Sequence, residues 1–408
     1  MTRAARRTPR PRRWTLAATA ALALCAGAGR AHGAASQEAP AALLVFPLVQ
    51  VGDGVDTIIR LANAGDAPSA MRCLYVAGDG DAQSARAFTL ELAAGQPVAW
   101  AASVGSADLA PATGSVPPLP AAGFTGVLRC VTTVDAGAPP PGGTLIGSAT
   151  IEHATPAPDS ATYAAVGFAA TGASADAPEV LVLGGPNAAY GACPAEVSLQ
   201  PLLDGAILDL GADGALQREA ATTIAIATCS STPIGGGAAA SLTLFVTNEF
   251  DQTLSSARSL REQLVSELSR LDTTNPSTSI FTSAVTGSPS GHVRLVPNPG
   301  SGVLAVALTA FRDPNGEQAA HRANVATQLS GERELPDLID LTLPTPAPSC
   351  TGDCDGDGAV TINELITGVN IALGSAPLAQ CAAFDADGDG LVAINELIAA
   401  VGAALDGC

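Results

Sequence analysis

A twelve-residue pattern of acidic residues occurs twice near the end of this 408-residue chain, beginning at Asp353 and again at Asp385. Each copy has aspartates at positions 1, 3 and 5, glycine at position 6 and glutamate at position 12. This spacing of oxygen ligands around a sharp turn is typical of a calcium-binding loop. The pattern therefore predicts two Ca²⁺ sites. Their predicted ligands are Asp353, Asp355, Asp357, Ala359, Thr361 and Glu364 in the first loop, and Asp385, Asp387, Asp389, Leu391 and Glu396 in the second.

The charge balance of this region favours a bound divalent cation. From Cys350 onward the chain has seven Asp, two Glu and no Lys or Arg, a formal charge of −9. Carboxylates directed at one point repel each other by roughly 3 to 4 kcal/mol per pair at an effective dielectric of about 20. A bidentate glutamate at position 12 suits Ca²⁺ better than Mg²⁺, which requires tight octahedral geometry and keeps its waters. Position 7 contributes a main-chain carbonyl, and a water is expected to replace the missing side-chain ligand at Ala393.

A helix is predicted after each loop. Apolar residues recur there at intervals of three and four, which places them on one face of a helix that is expected to point inward. Prolines at 344, 346 and 348 exclude a helix before the first loop. Only the second loop has room for a short preceding turn, over 378–384. The apolar residues are Leu365, Ile366, Val369 and Leu373 in the first helix and Leu397, Ile398, Val401 and Leu405 in the second.

This duplicated loop and helix over 350–408 resembles the dockerin module of bacterial secreted and cellulosomal proteins. The resemblance implies a calcium-folded module that binds a cohesin domain or another surface protein through loop positions 10 and 11 and through residues on the helices. The chain differs from that family in carrying Glu instead of Asp at position 12 and in having no basic residue on the helices. The residues at positions 10 and 11 are Ile362 and Asn363 in the first loop and Ile394 and Asn395 in the second.

The N-terminus predicts export. Six arginines lie between Arg3 and Arg13, and an apolar run over 14–29 and a stretch of small residues follow them. This order is typical of a secretory signal peptide, which we place at 1–35. Its removal would lower the net charge from −19 to −26, because residues 1–30 contain seven arginines and no acids. We therefore expect a secreted protein (extracellular, cell-surface or periplasmic) that does not bind nucleic acid. No later apolar run has the roughly 18 to 20 residues of a membrane span.

Cysteine usage agrees with an oxidising compartment. Eight of the nine cysteines lie beyond the predicted signal peptide, four in the body and four from Cys350 onward. Even counts in an exported chain predict disulfides, and three pairings are possible within each set of four. The favoured pairs are Cys73 with Cys130, Cys193 with Cys229, Cys350 with Cys408 and Cys354 with Cys381.

The body predicts a mainly β fold, because short alternating or apolar runs are cut by Gly, Pro, Asp and Asn from residue 41 to about 343. About 300 residues suit one or two β-sandwich domains, which we place at 41–187 and 188–343. A helix is predicted near 255–271, where four leucines follow helical spacing. A Pro-rich linker at 344–349 then leads to the small α-helical loop–helix pair at 350–408. The body itself resembles only uncharacterised secreted bacterial proteins.

No motif in the body predicts a reaction. The chain lacks the patterns of zinc proteases, P-loops, dinucleotide-binding folds and serine hydrolases. Trp100 is expected in the core rather than as a platform for sugar rings. The first hypothesis is therefore a noncatalytic secreted or surface protein with a calcium-binding C-terminal module. The alternative is an extracellular polysaccharide-acting hydrolase that carries a docking module, which would need two carboxylates in a groove lined by aromatic residues.

Overall fold

The structure is a computed structural model, and it describes sixteen parts of the chain. They are residues 35–52, 54–79, 85–105, 113–114, 120, 123–133, 142–154, 158–173, 180–186, 188–209, 217–231, 239–312, 318–341, 350–354, 359–386 and 390–406.

The described part of the body consists mostly of β-strands, which confirms the predicted mainly β fold. The strands up to residue 183 are β1 (Leu43–Gln50), β2 (Val55–Asn63), β3 (Ser69–Ala77), β4 (Arg86–Leu92), β5 (Pro97–Ala101), β6 (Thr113–Gly114), β7 (Thr125–Thr132), β8 (Leu145–His153), β9 (Asp159–Ala164), β10 (Val166–Phe168) and β11 (Val180–Leu183).

Further strands follow. Among the residues described, the two α-helices longer than four residues lie in the segment from Cys350 onward, which we call the tail. The strands are β12 (Glu196–Leu199), β13 (Ile207–Asp209), β14 (Gln217–Thr228), β15 (Ala239–Thr247), β16 (Thr253–Arg261), β17 (Gln263–Glu267), β18 (His292–Pro297), β19 (Val303–Arg312), β20 (Gln318–Val325), β21 (Thr327–Ser330) and β22 (Asp337–Asp340). The helices are α1 (Ser283–Thr286), α2 (Ile362–Ala372) and α3 (Ile394–Asp406).

The first half of the body is a pair of antiparallel sheets around one apolar core. One sheet has the order β10-β1-β7-β3-β4-β6 and the other β5-β2-β8-β9. Strand β2 shows the alternation that such a sheet requires, because Ile59 and Leu61 are buried while Arg60 between them is exposed. Trp100 is fully buried and its Nε1 donates a hydrogen bond of 2.8 Å to the Tyr75 hydroxyl. The prediction that Trp100 belongs to the core is therefore confirmed.

The second half has a sheet of order β16-β15-β18-β12-β21 and a sheet in which β14 pairs with β13, β17 and β19, and β19 pairs with β20. The two halves share their cores. Ala225, Val306 and Leu308 pack in the core of the first pair of sheets. Strand β11 also pairs with β22, close to the other end of the body. Residues from both sides of the expected boundary near 187 and 188 thus contribute to the same apolar core.

The predicted helix near 255–271 is wrong. The segment forms β16, β17 and a 3₁₀ turn at Leu268–Arg270. Leu260, Leu268 and Leu271 are buried as expected. These leucines and Leu264 lie on different elements, Leu260 on β16, Leu264 on β17 and Leu268 in the turn, so the helical interval of four joins residues of separate segments. Between the strands Glu262 has a φ of 43°, and this left-handed residue directs β16 and β17 into different sheets.

Strand β16 forms the edge of its sheet, and most of its residues are exposed. Arg258 pairs with the buried Leu242 of β15, so Arg258 lies on the face of the strand that points toward the core. A charge on the inner face of an edge strand opposes the addition of a further strand.

Three predicted disulfides are confirmed: Cys73–Cys130, Cys193–Cys229 and Cys354–Cys381. Cys350 is also disulfide-bonded, whereas its predicted partner Cys408 lies outside the described residues. These bonds indicate an oxidising compartment of the extracellular type. Among the described residues, no helix combines the length and apolar character that crossing a membrane requires.

Candidate calcium-binding module

The tail has a small core of its own around Phe384. This ring is fully buried and packs with Ile371 of α2 and Ala400 of α3. Two glycines make room for it. A Cβ on Gly368 would lie 2.2 Å from the ring, and one on Gly352, where φ is +98°, would lie 2.6 Å from the Ala400 Cβ. The two helices therefore meet at a closely packed centre that contains few apolar side chains.

Glu364 ties the beginning of the first loop to the start of α2. Its Oε1 accepts a hydrogen bond of 2.8 Å from the Cys354 N–H, and its Oε2 accepts one of 2.7 Å from the Thr361 N–H. The Thr361 hydroxyl in turn accepts from the Glu364 N–H, which completes a capping box at the start of the helix. Glu364 is buried, so the carboxylate at position 12 points into the loop.

Glu396 makes the same contacts in the second loop. Its Oε1 accepts from the Ala386 N–H at 2.7 Å, and its Oε2 accepts from the Ala393 N–H at 2.8 Å. Ala386 and Ala393 hold loop positions 2 and 9, as Cys354 and Thr361 do in the first loop. The two loops therefore place the position-12 carboxylate by the same pair of backbone hydrogen bonds, although their side chains at positions 2 and 9 differ.

The aspartates at position 1 begin the same two loops. Asp353 is buried. In the second loop the Asp385 Oδ2 accepts a hydrogen bond of 2.9 Å from the Gly390 N–H. Asp385 Oδ1 is buried and has no hydrogen-bond partner within the described structure. A buried carboxylate oxygen without a partner carries a large desolvation cost, which a cation would offset.

The remaining predicted ligands divide into two groups. Asp355, Asp357, Asp387 and Asp389 lie outside the described residues. Ala359, Thr361 and Leu391 are exposed residues of the loops. At position 6 of the second loop, Gly390 has a φ of +84°, the left-handed conformation that the loop turn requires. The donors that the loops offer are oxygens, which fit Ca²⁺, because Cys354 and Cys381 are bonded to each other.

The apolar face of the two helices is not where the sequence analysis placed it. Ile366 and Val369 in α2 and Leu373 directly after it are exposed, and so are the equivalent Ile398, Val401 and Leu405 in α3. The buried residues of α2 are Glu364, Gly368 and Ile371. Helical spacing identified an apolar face correctly. It did not show that the inner face of the helix includes a glutamate and a glycine.

A second group of potential metal ligands occurs in the body. Cys193, Cys229 and Asp337 bring their donor atoms within 4.8 Å of one another. The two sulfurs are bonded to each other, however. The Asp337 Oδ1 accepts hydrogen bonds from Ser230 Oγ at 2.9 Å and from Gly302 N–H at 2.8 Å. These groups connect loops of the body, and the disulfide leaves no thiolate for a metal.

The body also contains charged groups that the sequence analysis did not identify. Arg129 and Glu262 are both fully buried, with 3.7 Å between Nη2 and Oε2, and Arg129 Nη2 donates to the Thr228 carbonyl at 3.1 Å. Burial lowers the pKa of Arg129, and Glu262 opposes this effect. Asp204 accepts from the N–H groups of Thr222 and Ser269, and burial raises its pKa. Each group joins separate strands, and no sequence motif marks such long-range pairs.

Two grooves on the described surface of the body lack a pair of acids. A groove of about 450 Å³ lies along β2, β5 and β8 and has Arg60 as its one charged lining residue. A second groove, beside β15 and β16, has Arg261 as its one charged lining residue. Neither groove is lined by an aromatic side chain. Both differ from the groove that the hydrolase hypothesis requires.

No known protein family matches the chain, and no curated protein is detectably similar to it.

Proposed function

We propose that this chain is an exported noncatalytic protein whose β-rich body carries a C-terminal module that binds two Ca²⁺ ions. The ions stabilise the fold of the module and hold its helices in place for docking. The observation that carries the proposal is the pair of buried glutamates, Glu364 and Glu396, which occupy position 12 of the two loops with the same backbone partners. A chance acidic turn has no reason to repeat this arrangement.

Calcium would supply the positive charge that the tail lacks. The acids of each loop would hold the ion, with Asp353 and Glu364 in one site and Asp385 and Glu396 in the other. The partnerless Asp385 Oδ1 supports this assignment, because a bound cation would compensate its burial. The charge of −9 over 350–408 has no internal counter-ion among Lys and Arg residues, so two divalent ions would lower the repulsion in both loops.

The resemblance to dockerin modules supports the proposal that the tail binds a partner protein. The positions that the resemblance assigns to recognition include Ile362 and Ile394, and their side chains are 76% and 75% exposed. Large apolar side chains that are this exposed mark interaction surfaces when they belong to a wider apolar patch. The disulfides and the N-terminal arginine-rich and apolar segment support export. The two grooves described above offer no acid pair for the alternative hydrolase.

Calorimetric titration of the full chain tests the calcium proposal. After removal of metal with EGTA, we expect two Ca²⁺ ions to bind per chain and Mg²⁺ to bind more weakly. Glu364→Gln and Glu396→Gln should each weaken one site by at least about tenfold, because the ligand loses its charge and one oxygen. Glu219→Gln on β14 is the matched control, since Glu219 is exposed and remote in sequence from both loops. Unchanged binding in both loop variants, or no binding by the wild-type chain, would refute the assignment.

A further inference from the structure

Each helix of the tail carries a stripe of four exposed apolar side chains. The first stripe consists of Ile362, Ile366, Val369 and Leu373, and the second stripe consists of Ile394, Ile398, Val401 and Leu405. Their exposed fractions range from 44% to 80%. Each stripe presents on the order of 500 Å² of apolar surface, the size of the largest apolar patch on a typical monomer, which is often functional.

The two stripes are identical in residue type at every position. Ile, Ile, Val and Leu recur in the same order and at the same intervals in both copies. The inner positions beyond the first helical turn differ, because the buried Gly368 and Ile371 correspond to Ala400 and Ala403. In that part of the helices, the two copies therefore share more residue types on the exposed face than on the buried face.

The spacing within a stripe is that of a helix which packs against another helix. Intervals of four, three and four residues form an a/d seam over three turns, the pattern that places side chains between those of a facing helix. At 100° per residue, each stripe lies on the side of its helix opposite the buried Glu364, Gly368 and Ile371 or their equivalents. Since both helices pack on the Phe384 core, both stripes face away from that core.

The borders of the stripes are almost free of charge. Asn363, Asn370 and Asn395 are exposed there, and eight of the nine acids of the tail belong to the two loops, with Asp406 at the end of α3 as the ninth. A specific foreign partner is usually selected by complementary charges at the rim of an interface, and these borders offer few. A second copy of the tail, by contrast, presents the same apolar seam with the same border.

We infer that the stripes form a self-association surface, in which the tail of one chain packs a stripe against a stripe of a second copy. This inference rests on the proposed function, because it needs the calcium-bound fold to hold α2 and α3. One contact would bury roughly 400 to 500 Å² per chain, which corresponds to a small and transient interface. Because each tail has two stripes, one copy can contact two others, and such contacts form either a closed ring or an open chain. The mean size of the assembly grows with protein concentration.

Sedimentation velocity of the full chain tests this inference. In calcium, we expect the weight-average mass to rise between about 1 and 100 μM, the range of a weak specific contact. In EGTA the chain should sediment as a monomer. Wild-type chain that stays monomeric in calcium over this range would overturn self-association and leave the stripes to a different partner.

Substitutions in the stripes test how many other copies one chain can contact. Ile366→Glu removes the first stripe and Ile398→Glu the second, so each single variant should stop at a dimer and the double variant should be a monomer. Thr367→Glu and Ala399→Glu are matched controls, because they add the same charge at equivalent positions of the two helices, about 100° around the helix from Ile366 and Ile398. Equal association of the double variant and the controls would contradict the inference.

Calcium titration of the same variants separates this inference from the proposed function. All stripe variants should still bind two Ca²⁺ ions, because none of them changes a loop ligand. Two bound ions together with a monomeric wild-type chain would refute the inference alone. Failure of the wild-type chain to bind calcium would refute the proposed function.

Discussion

The body and the tail distribute polar and apolar side chains in opposite ways. In the body, apolar residues such as Trp100 and Ile59 are fully buried, and polar residues such as Arg60 face solvent. In the tail, Asp353, Glu364 and Glu396 are buried, while Ile366, Ile398 and Leu405 are exposed. The body therefore has the hydrophobic core that stabilises an ordinary domain. The tail buries carboxylates beside its small Phe384 core, so we expect its stability to depend on what neutralises their charge.

The largest difference between the two regions should appear on removal of calcium. We expect EGTA to unfold the tail and to leave the body folded. If calcium is present at about a thousand times its dissociation constant, its loss costs the tail about 4 kcal/mol. Differential scanning calorimetry should show one transition that shifts with calcium and one that does not. A single transition at the same temperature with and without EGTA would contradict this contrast.

The buried ion pair of the body provides the counterpart to this test. Glu262→Gln leaves the Arg129 guanidinium buried without its counter-charge, so we expect a loss of about 3 to 5 kcal/mol in the stability of the body. Urea unfolding followed by tryptophan fluorescence measures it, since Trp100 reports on the body core.

An exposed ion pair is the control for Glu262→Gln. Arg270 lies 3.2 Å from Glu267, and its side chain is 58% exposed. Arg270→Met should cost less than about 1 kcal/mol, because water screens an exposed pair. Equal losses in the two variants would mean that burial does not decide the strength of these pairs.

The disulfide Cys354–Cys381 should contribute to the tail alone. It closes a span of 27 residues and ties loop position 2 to the Phe384 core. Replacing both cysteines by alanine should lower the stability of the calcium-loaded tail by about 3 to 4 kcal/mol, mainly through a less restricted unfolded chain. Calorimetry in calcium should show a lower tail transition and an unchanged body transition. A shift of the body transition would show that the two regions unfold together.

Two glycines in the tail helices should give small effects of opposite sign. Gly368→Ala places a methyl group against the Phe384 ring and should cost about 1 to 3 kcal/mol. Gly402→Ala meets open space in α3 and should stabilise the tail by up to about 1 kcal/mol, because alanine favours helix. Thermal melts of the two variants in calcium compare them directly. Destabilisation by Gly402→Ala would mean that the second helix is packed more closely than described.

Sequence reasoning succeeded where the relevant chemistry is local. The strand pattern and the burial of Trp100 follow from alternation and size, and even cysteine counts predict that disulfides form, although the counts alone leave three pairings open in each set. The predicted helix at 255–271 was wrong because its leucines belong to separate segments, β16, β17 and a 3₁₀ turn, and the left-handed Glu262 that separates β16 from β17 has no sequence signal. The bond from the Thr361 N–H to Glu364 has a sequence signal, the Thr-x-x-Glu pattern of a capping box. The bond from the Cys354 N–H to Glu364 has none, since every residue type except proline carries such a group.

The exposed tail stripes show a different limit. Helical spacing predicts that an apolar face exists, and burial of that face is the usual outcome for a small domain. Here the inner face needs small residues around Phe384 and two carboxylates, so Gly368 and Glu364 take the inner positions. A sequence pattern alone does not state which of two faces is inside.

Arg258 on the inner face of the edge strand β16 affects whether two copies of this protein can aggregate through their sheets. The unpaired N–H and C=O groups of an exposed edge strand can hydrogen-bond to a strand of another molecule and so cause aggregation. The inward arginine makes that route costly, because an added strand would have to cover a charge. Any contact between copies then has to use side chains, and such contacts dissociate more readily than a shared sheet and depend on the solvent conditions.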